Sequence, residues 1–276
     1  MKIDANMVEK AGHRGVHNFT YGILETYFKL SNLSDDNIWF NGNVLVLSGL
    51  PGRAGHKSWV YDIADIGLLR GLQTKGPVYS INKIGLPKES KFKELTYDLT
   101  TVFAASSYAN AKKRAKVLTY PRNWMKNNEI SVETNTKLDL AEVVLLHDEW
   151  KKYKLSLPAT FKMMFPSKRY YNCVEIGLRD PDRYTIFSAY NSEHGLVAVR
   201  VLYVDKAFAF DLANFCCSWR LPSNFSEYFN SYTMRLLYDK GVKLLNCGAS
   251  LNKELSAFKK HWPHSELISY AYGRTE

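Results

Sequence analysis

The sequence lacks any apolar run that approaches the ~20 residues needed to cross a membrane. Its N-terminus, residues 1–6, also lacks the apolar core of a secretory signal peptide. We therefore expect a cytoplasmic protein without a membrane span. With 276 residues, of which 14% are aromatic, the chain is long enough for one large or two small domains, and disorder over any large part is not expected.

Cysteine is also scarce, and its spacing excludes the usual zinc motif. None of the four cysteines forms a Cys-x-x-Cys pair, and no third ligand joins His261 and His264. Cys216 and Cys217 are adjacent, which disfavours a disulfide between them. We therefore predict no metal site and free buried thiols, with a nucleophilic Cys217 or Cys247 as the alternative that no neighbouring histidine supports.

Acidic residues are absent from one basic stretch, Lys112–Lys126, which holds six lysines and arginines. A second basic stretch, Lys151–Tyr171, is interleaved with aromatic residues, and the whole chain carries a net charge of +10. Such patches suit a polyanionic partner (tRNA, DNA, a nucleotide-linked substrate or coenzyme A), and a solvated surface explains either patch alone equally well. The candidate residues for binding nucleic acid or phosphate are Lys112, Lys113, Arg114, Arg122, Lys168 and Arg169.

The order of predicted elements indicates an α+β fold, in which helices flank a mixed, mostly antiparallel sheet. Apolar periodicity predicts strands at 42–49, 78–84, 129–133, 173–178, 184–190, 196–204, 207–215, 244–247 and 266–272. It predicts helices at 18–30, 63–72, 139–153, 226–239 and 253–260. Asp139 is expected to cap the helix that follows it, and Gly241 to end the helix before it.

Two segments carry a family resemblance. Lys112-Lys-Arg-Ala-Lys-Val-Leu-Thr-Tyr-Pro-Arg-Asn-Trp124, followed by Asn128-Glu-Ile-Ser-Val132, is similar to the basic helix and strand that open the catalytic half of FemAB-like proteins. Gly241-Val-Lys-Leu-Leu-Asn-Cys-Gly-Ala-Ser250, with Leu255-Ser-Ala-Phe-Lys-Lys-His-Trp-Pro263, resembles their closing motif. The resemblance implies a GNAT-like acyltransferase fold. It also implies two GNAT-type units: a lead-in at 1–19, a shortened degenerate unit at 20–108 and a catalytic domain at 109–276.

The sequence departs from the superfamily where acetyl-CoA enzymes bind the donor diphosphate. Those enzymes carry a glycine-containing loop between the fourth strand and the next helix, whose N–H groups hold the pyrophosphate. Here, Phe215-Cys-Cys-Ser-Trp-Arg-Leu-Pro-Ser-Asn224 contains no glycine. Either Arg220 and the N–H groups near Asn224 hold the diphosphate, or the donor is aminoacyl-tRNA, which many FemAB-like proteins use. The donor stays open between acyl-CoA and aminoacyl-tRNA.

The resemblance and the strand pattern together give candidate site residues. Lys259 stands at the family's Phe-Lys position, where it would stabilise an oxyanion or a substrate phosphate; the alternative is a lysine on the helix surface. Asp211 is a candidate base or simply the exposed face of a strand, and Tyr232 is a candidate proton donor or a core residue. The candidates for binding donor or substrate are Asn214, Phe215, Arg220, Asn246, Gly248 and Ser250.

These observations predict an acyl- or aminoacyltransferase that acts on an amine or a hydroxyl. A nucleic-acid- or nucleotide-linked acceptor, as in phage-type base modification, fits a basic and compact transferase. The alternative is a non-catalytic nucleic-acid-binding module on a degenerate GNAT scaffold. It is favoured by the loop without glycine and by the lack of a clear base.

Overall fold

The computed structural model describes residues 38–40, 45–52, 55–61, 78–80, 89–135, 137–156, 169–249 and 253–272. The chain divides into two compact units, Met1–Glu94 with Glu266–Glu276, and Leu95–Ser265. The helices predicted at 18–30 and 63–72 lie outside the described residues. The tandem division expected after residue 108 stays a prediction.

The secondary structure alternates strands with helices along most of the described chain. Its strands are β1 (Ile38–Phe40), β2 (Leu45–Gly52), β3 (Gly55–Tyr61), β4 (Val78–Ser80), β5 (Glu89–Asp98), β6 (Ile130–Thr134), β7 (Tyr184–Asn191), β8 (Gly195–Asp205), β9 (Phe208–Cys216), β10 (Leu244–Ala249) and β11 (Ser265–Tyr272). Its helices are α1 (Leu99–Phe103), α2 (Ala111–Leu118), α3 (Tyr120–Asn127), α4 (Leu140–Ser156), α5 (Arg169–Arg179), α6 (Phe225–Asp239) and α7 (Lys253–Lys259). Among the described residues, no helix is long and apolar enough to cross a membrane.

The first unit contains a sheet in which the strands follow the order β1-β2-β3-β4-β11. The pairs β1–β2, β2–β3 and β4–β11 are antiparallel, and β3–β4 is parallel. β2 and β4 overlap the strands predicted at 42–49 and 78–84. β2 extends to Gly52, and β3 begins at Gly55.

The second unit contains a sheet in the order β5-β10-β9-β8-β7-β6. β6, β7, β8 and β9 pair in antiparallel fashion, whereas β9 and β10 are parallel. The expected α+β fold with a mixed, mostly antiparallel sheet is therefore confirmed.

Helices cover both faces of this second sheet, which explains why β7 and β8 are almost continuously apolar and buried. α6 lies on the face that carries the Arg200 side chain, and α3 packs against α6 through Trp124 and Tyr228. α4 lies on the opposite face, where its Trp150 ring contacts Phe215. α5 packs against β7, β8 and β9 and against α4.

The helix boundaries bear out the sequence signals at α4 and α6. Asp139 precedes α4, and its carboxylate accepts a hydrogen bond from the Ala141 N–H at 2.8 Å, as a capping residue does. Gly241 follows α6 with a φ of +92°, in the left-handed region that glycine tolerates. Both predicted ends are confirmed.

The strand predicted at 173–178 is wrong, because these residues form the second half of α5. Cys173, Val174 and Gly177 are the buried positions of this segment, a spacing of one helical face rather than of a strand. The β-branched Val174 and Ile176 gave the segment its strand-like composition. Packing of α5 on the sheet overrides that local preference.

Gly177 allows α5 to approach β7 closely. A Cβ at this position would lie 2.9 Å from Ile186 Cδ1 and 3.4 Å from Val201 Cγ1. Contacts shorter than 3.0 Å require a neighbour to move, and here the nearest atom is the end of a side chain. The absence of a side chain at residue 177 therefore fixes the distance between helix and sheet.

We expect Gly177→Ala to destabilise the protein by about 1–3 kcal/mol, because overpacking at Ile186 outweighs the better helix propensity of alanine. Ile186→Val removes Cδ1, so the double variant should be more stable than the sum of the two single changes predicts. Urea unfolding of the wild type, both single variants and the double variant measures this coupling. Simple additivity would show that the two residues do not limit the packing.

Candidate active site

The second unit's sheet opens between its two parallel strands. β9 and β10 pair over Phe208–Phe210 and Leu244–Asn246. Beyond these pairs, β9 continues to Cys216 and β10 to Ala249. Backbone N–H and C=O groups that leave a ladder need other partners, which a ligand can supply. The carboxyl end of this parallel pair is therefore the candidate cleft.

Gly248 gives β10 an irregular backbone at the edge of this cleft. Its φ is +65°, and its N–H donates to Asn246 Oδ1 at 2.6 Å. Asn246 is fully buried, and its side-chain amide donates to Thr96 Oγ1 at 3.1 Å. Both predicted binding residues thus shape the strand, and their contact with a ligand stays a prediction. Ser250 lies outside the described residues.

Lys259, the last residue of α7, reaches back to the same part of β10. Its Nζ donates to the carbonyl oxygens of Cys247 at 2.5 Å and Gly248 at 3.1 Å. Its own carbonyl accepts a hydrogen bond from the Tyr97 hydroxyl at 2.7 Å. With 9% of the residue exposed, the alternative of a surface lysine is wrong. A role in oxyanion or phosphate binding stays a prediction.

A buried ion pair lies on the face of the sheet that α6 covers. Arg200 has no exposed side-chain surface, and its Nη2 and Nε donate to Asp211 Oδ2 at 2.8 and 3.2 Å. Its Nη1 donates to Thr233 Oγ1 at 2.7 Å. Asp211 Oδ1 is buried and has no hydrogen-bond partner within the described part of the chain. The candidate base is thus held in an ion pair, and its role in catalysis stays a prediction.

The neutral groups near this ion pair are a thiol and a phenol. Burial raises the pKa of Cys247 to about 12; the Asp211 carboxylate also raises it, and Arg200 opposes that effect. Burial raises the pKa of Tyr97 well above its usual value. Burial likewise raises the pKa of Cys217 to about 12. Neither cysteine is therefore a thiolate near neutral pH, which disfavours a cysteine nucleophile.

Within the described ranges, no three His, Cys, Asp or Glu side chains come together as a metal site requires.

The remaining predicted residues of β9 and α6 fall on different sides of the sheet. Asn214 lies on the α6 side, where its Nδ2 donates to Asn230 Oδ1 at 3.2 Å. Phe215 is fully buried on the other side, with its ring 5.7 Å from the His147 ring. Tyr232 is half-buried and packs against the core. The structure thus brings Asn214, and not the Phe215 side chain, to the face that carries Asp211.

In the segment between β9 and α6, the arginine considered for a donor diphosphate is already paired with a carboxylate. Arg220 Nη2 donates to Glu149 Oε1 at 2.6 Å in a partly exposed pair. Asn224 precedes α6 with a φ of +75° and makes no side-chain capping bond. Glu227 lies in the first turn of α6, where its carboxylate forms an ion pair with Lys116 Nζ at 3.0 Å.

The basic candidates form no single cluster that the structure can describe. Lys112 and Lys113 are exposed on α2, and Arg122 is exposed on α3. Arg114 lies within α2, and Arg169 is the first residue of α5. Lys168 lies outside the described residues. Nucleic-acid or phosphate binding by these residues stays a prediction.

Sequence reasoning missed the residues that hold the polar cluster together. Arg200, Thr233 and Tyr97 were not singled out, although Arg200 stands between valines in a run that forms a buried strand. A charged residue within such a run is the signal that could have identified it, since buried charges need partners. The partners themselves come from distant parts of the chain.

Comparisons with known proteins show the fold. No protein-family model and no curated protein matches the sequence. The fold is similar to that of L-PGS from Bacillus licheniformis, with a TM-score of 0.58, 14% identity, and coverage of 98% of this chain and 92% of that one. It is also similar to the C-terminal domain of a putative lysylphosphatidylglycerol synthetase from Agrobacterium fabrum, with a TM-score of 0.56, 14% identity and 92% coverage of both chains.

A third similar structure covers the whole chain. It is a conserved protein of unknown function from Bacteroides thetaiotaomicron, with a TM-score of 0.58, 13% identity, and coverage of 100% of this chain and 94% of that one. At these identities the likeness concerns the fold. The three similar structures support the α+β fold that the sequence predicts.

The buried ion pair should make Arg200→Met strongly destabilising, by about 3–5 kcal/mol, because the change leaves the Asp211 carboxylate without its cation. The double variant Arg200→Met with Asp211→Leu removes both charges and should recover most of that loss. Urea denaturation followed by circular dichroism measures both values. A loss below about 1 kcal/mol in the single variant would mean that the pair is not buried as described.

Proposed function

We propose that this protein is an acyl- or aminoacyltransferase that moves an acyl group from a carrier to an amine or hydroxyl. The observation that carries the proposal is the end of β9–β10 pairing beside a buried polar cluster. Acyl transfer requires a slot for the carbonyl and oriented donors for the oxyanion that forms on it. A strand that leaves its ladder offers backbone N–H groups to such a slot.

In the proposed reaction, the acyl carbonyl lies along the β9 backbone near Asn214 and Phe215. The acceptor's lone pair attacks the carbonyl carbon, and the bond from that carbon to the carrier oxygen or sulfur breaks. The proton of the acceptor passes to a base, for which Asp211 is the candidate, or to water. Tyr232 is the candidate donor of a proton to the leaving group.

Of the two donors, aminoacyl-tRNA is favoured by the segment that follows β9. The glycine-free loop and the Arg220–Glu149 ion pair are poorly suited to a diphosphate. An aminoacyl ester on tRNA does not require a diphosphate site there. The exposed cations on α2 and α3 suit the phosphates of its backbone.

The proposed acceptor is an amine or a hydroxyl, and three compounds represent the acceptor classes to be tested. One similar structure is named a putative lysylphosphatidylglycerol synthetase, which makes the phosphatidylglycerol hydroxyl one acceptor to test. A free amine, such as that of lysine amide, tests the amine class. Single-stranded DNA tests the nucleic-acid-linked class.

We expect radiolabel from aminoacyl-tRNA to appear in at least one of these acceptors about 10-fold faster than label from acetyl-CoA. Asp211→Asn should reduce this transfer if Asp211 takes part in the reaction, whereas Lys240→Ala, at an exposed position after α6, should not. Thermal denaturation confirms that both variants are folded. Absence of product with every donor and acceptor would contradict the transferase function.

The second candidate is a non-catalytic nucleic-acid-binding module, and exposed cations are the observation that favours it. Lys112, Lys113 and Arg122 point to solvent on α2 and α3, which pack against α6 on one face of the sheet. The matched set Lys137, Arg179 and Lys206 is exposed outside both basic stretches: before α4, at the end of α5 and between β8 and β9. The two sets carry the same charge, so they separate a local site from an effect of net charge.

We expect the triple variant K112A/K113A/R122A to bind tRNA more weakly than K137A/R179A/K206A in gel retardation over a range of salt concentrations. Each lost phosphate contact should lower the slope of log K against log salt by about 1. Binding of plain nucleic acid without any acyl transfer would favour the module over the enzyme. Equal weakening in both triple variants would rule out a nucleic-acid site on α2 and α3.

A further inference from the structure

The hydrogen bonds of the parallel pair identify the position at which the ladder stops. The Leu244 N–H donates to the Ala207 carbonyl at 3.0 Å, and the pairing continues to Asn246 opposite Phe210. In a parallel ladder, every second residue of a strand directs its N–H and C=O toward the same neighbour. Residues 244 and 246 therefore face β9, and residue 248 is the next in this series.

Continuation of the ladder would require the Gly248 N–H to bond to the Asp211 carbonyl. That N–H donates to Asn246 Oδ1 instead, at 2.6 Å. The acceptor belongs to the same strand two residues earlier, which is the geometry of an Asx turn. The asparagine side chain thus takes the donor that would have bound β9.

The Gly248 carbonyl has also been taken by a side chain. Lys259 Nζ donates to it at 3.1 Å and to the Cys247 carbonyl at 2.5 Å. In a regular strand, successive carbonyls point to opposite edges, so one ammonium group would not reach both. The left-handed conformation of Gly248, with a φ of +65°, turns the chain so that both face Lys259.

Both side chains are anchored in the core rather than free at the surface. Asn246 is fully buried and is also bound to Thr96 of β5. Lys259 is 9% exposed, and the end of its helix is held by the Tyr97 hydroxyl. A buried amide or ammonium that lost its carbonyl or N–H partner would pay a desolvation penalty, so these bonds are well held.

We propose that Asn246 and Lys259 are positioning residues that end the β9–β10 ladder at Gly248 and hold open the cleft in which acyl transfer takes place. They act on the backbone of β10, because Asn246 Oδ1 takes the Gly248 N–H and Lys259 Nζ binds the Cys247 and Gly248 carbonyls. This assignment rests on the proposed transferase function for its catalytic consequence. The structural part stands on the hydrogen bonds alone.

The first test replaces the Asx acceptor. In Asn246→Ala, the Gly248 N–H should turn to the Asp211 carbonyl, and a scalar coupling across that hydrogen bond should appear between Gly248 ¹⁵N and Asp211 ¹³C′. Closure of the cleft should lower kcat about 100-fold, since catalysis is sensitive to displacements of about 1 Å. Thr96→Val is the matched control, because it removes the other partner of Asn246 and leaves the Gly248 bond in place.

The second test separates a positioning lysine from one that touches the substrate, and it remains informative if Asn246→Ala does not fold. Lys259→Met should lower kcat and change the amide exchange and chemical shifts of residues 247–249, and Lys259→Arg should restore part of both. A loss of kcat in Lys259→Met with unchanged signals from β10 would overturn the proposal in favour of direct contact with the substrate. Wild-type kcat in both Asn246→Ala and Lys259→Met would overturn it as well.

Different results would contradict the positioning role of Asn246 and the proposed transferase function. If the wild type transfers no acyl group from any donor, the proposed function is wrong, but the coupling at Gly248 still decides whether Asn246 ends the ladder. If the wild type is active and Asn246→Ala shows no coupling to Asp211, the positioning role is wrong and the transferase function stands. A new coupling together with reduced kcat supports both.

Discussion

A guanidinium group with no access to water is the constraint on which the second unit depends. Arg200 lies in the middle of β8 with its side chain fully buried. A buried cation must find an anion and further acceptors, and the chain supplies Asp211 from the adjacent strand and Thr233 from α6. Because the planar guanidinium donates in fixed directions, it sets where α6 crosses the sheet and which way Asp211 points.

This constraint makes the two faces of the sheet chemically different. On the α6 face, polar side chains from β5, β8, β9 and α6 hydrogen-bond to one another or to the backbone. On the other face, aromatic rings of α4 pack against Phe215 without such bonds. Hydrogen bonds fix the directions of these side chains, so the α6 face is the one suited to hold reacting groups in place.

The sequence predicted the strands and helices of the second unit well where a regular spacing of apolar residues ended at a capping or turn residue. Asp139 and Gly241 marked helix ends that the structure confirms, and apolar runs marked β7, β8 and β9. The helix α5 was mistaken for a strand because its apolar stretch is short and β-branched, and packing against the sheet decided its conformation. The partners of Arg200 could not be predicted, since they come together only through the strand order.

Lys259 shows how a motif can identify a residue and still leave its chemistry undetermined. The Phe-Lys position identified this lysine, and the sequence predicted that its charge would stabilise an oxyanion or a substrate phosphate. Its partners, however, are carbonyls that face it only because Gly248 is left-handed, and Asn246 stabilises that turn. The signal for this arrangement is the Asn-x-Gly spacing at 246–248, because an asparagine can accept from the N–H two residues later and glycine tolerates the resulting backbone. At the end of a strand with a parallel neighbour, that spacing predicts the end of the ladder, and the lysine then stabilises an opening that the asparagine and glycine create.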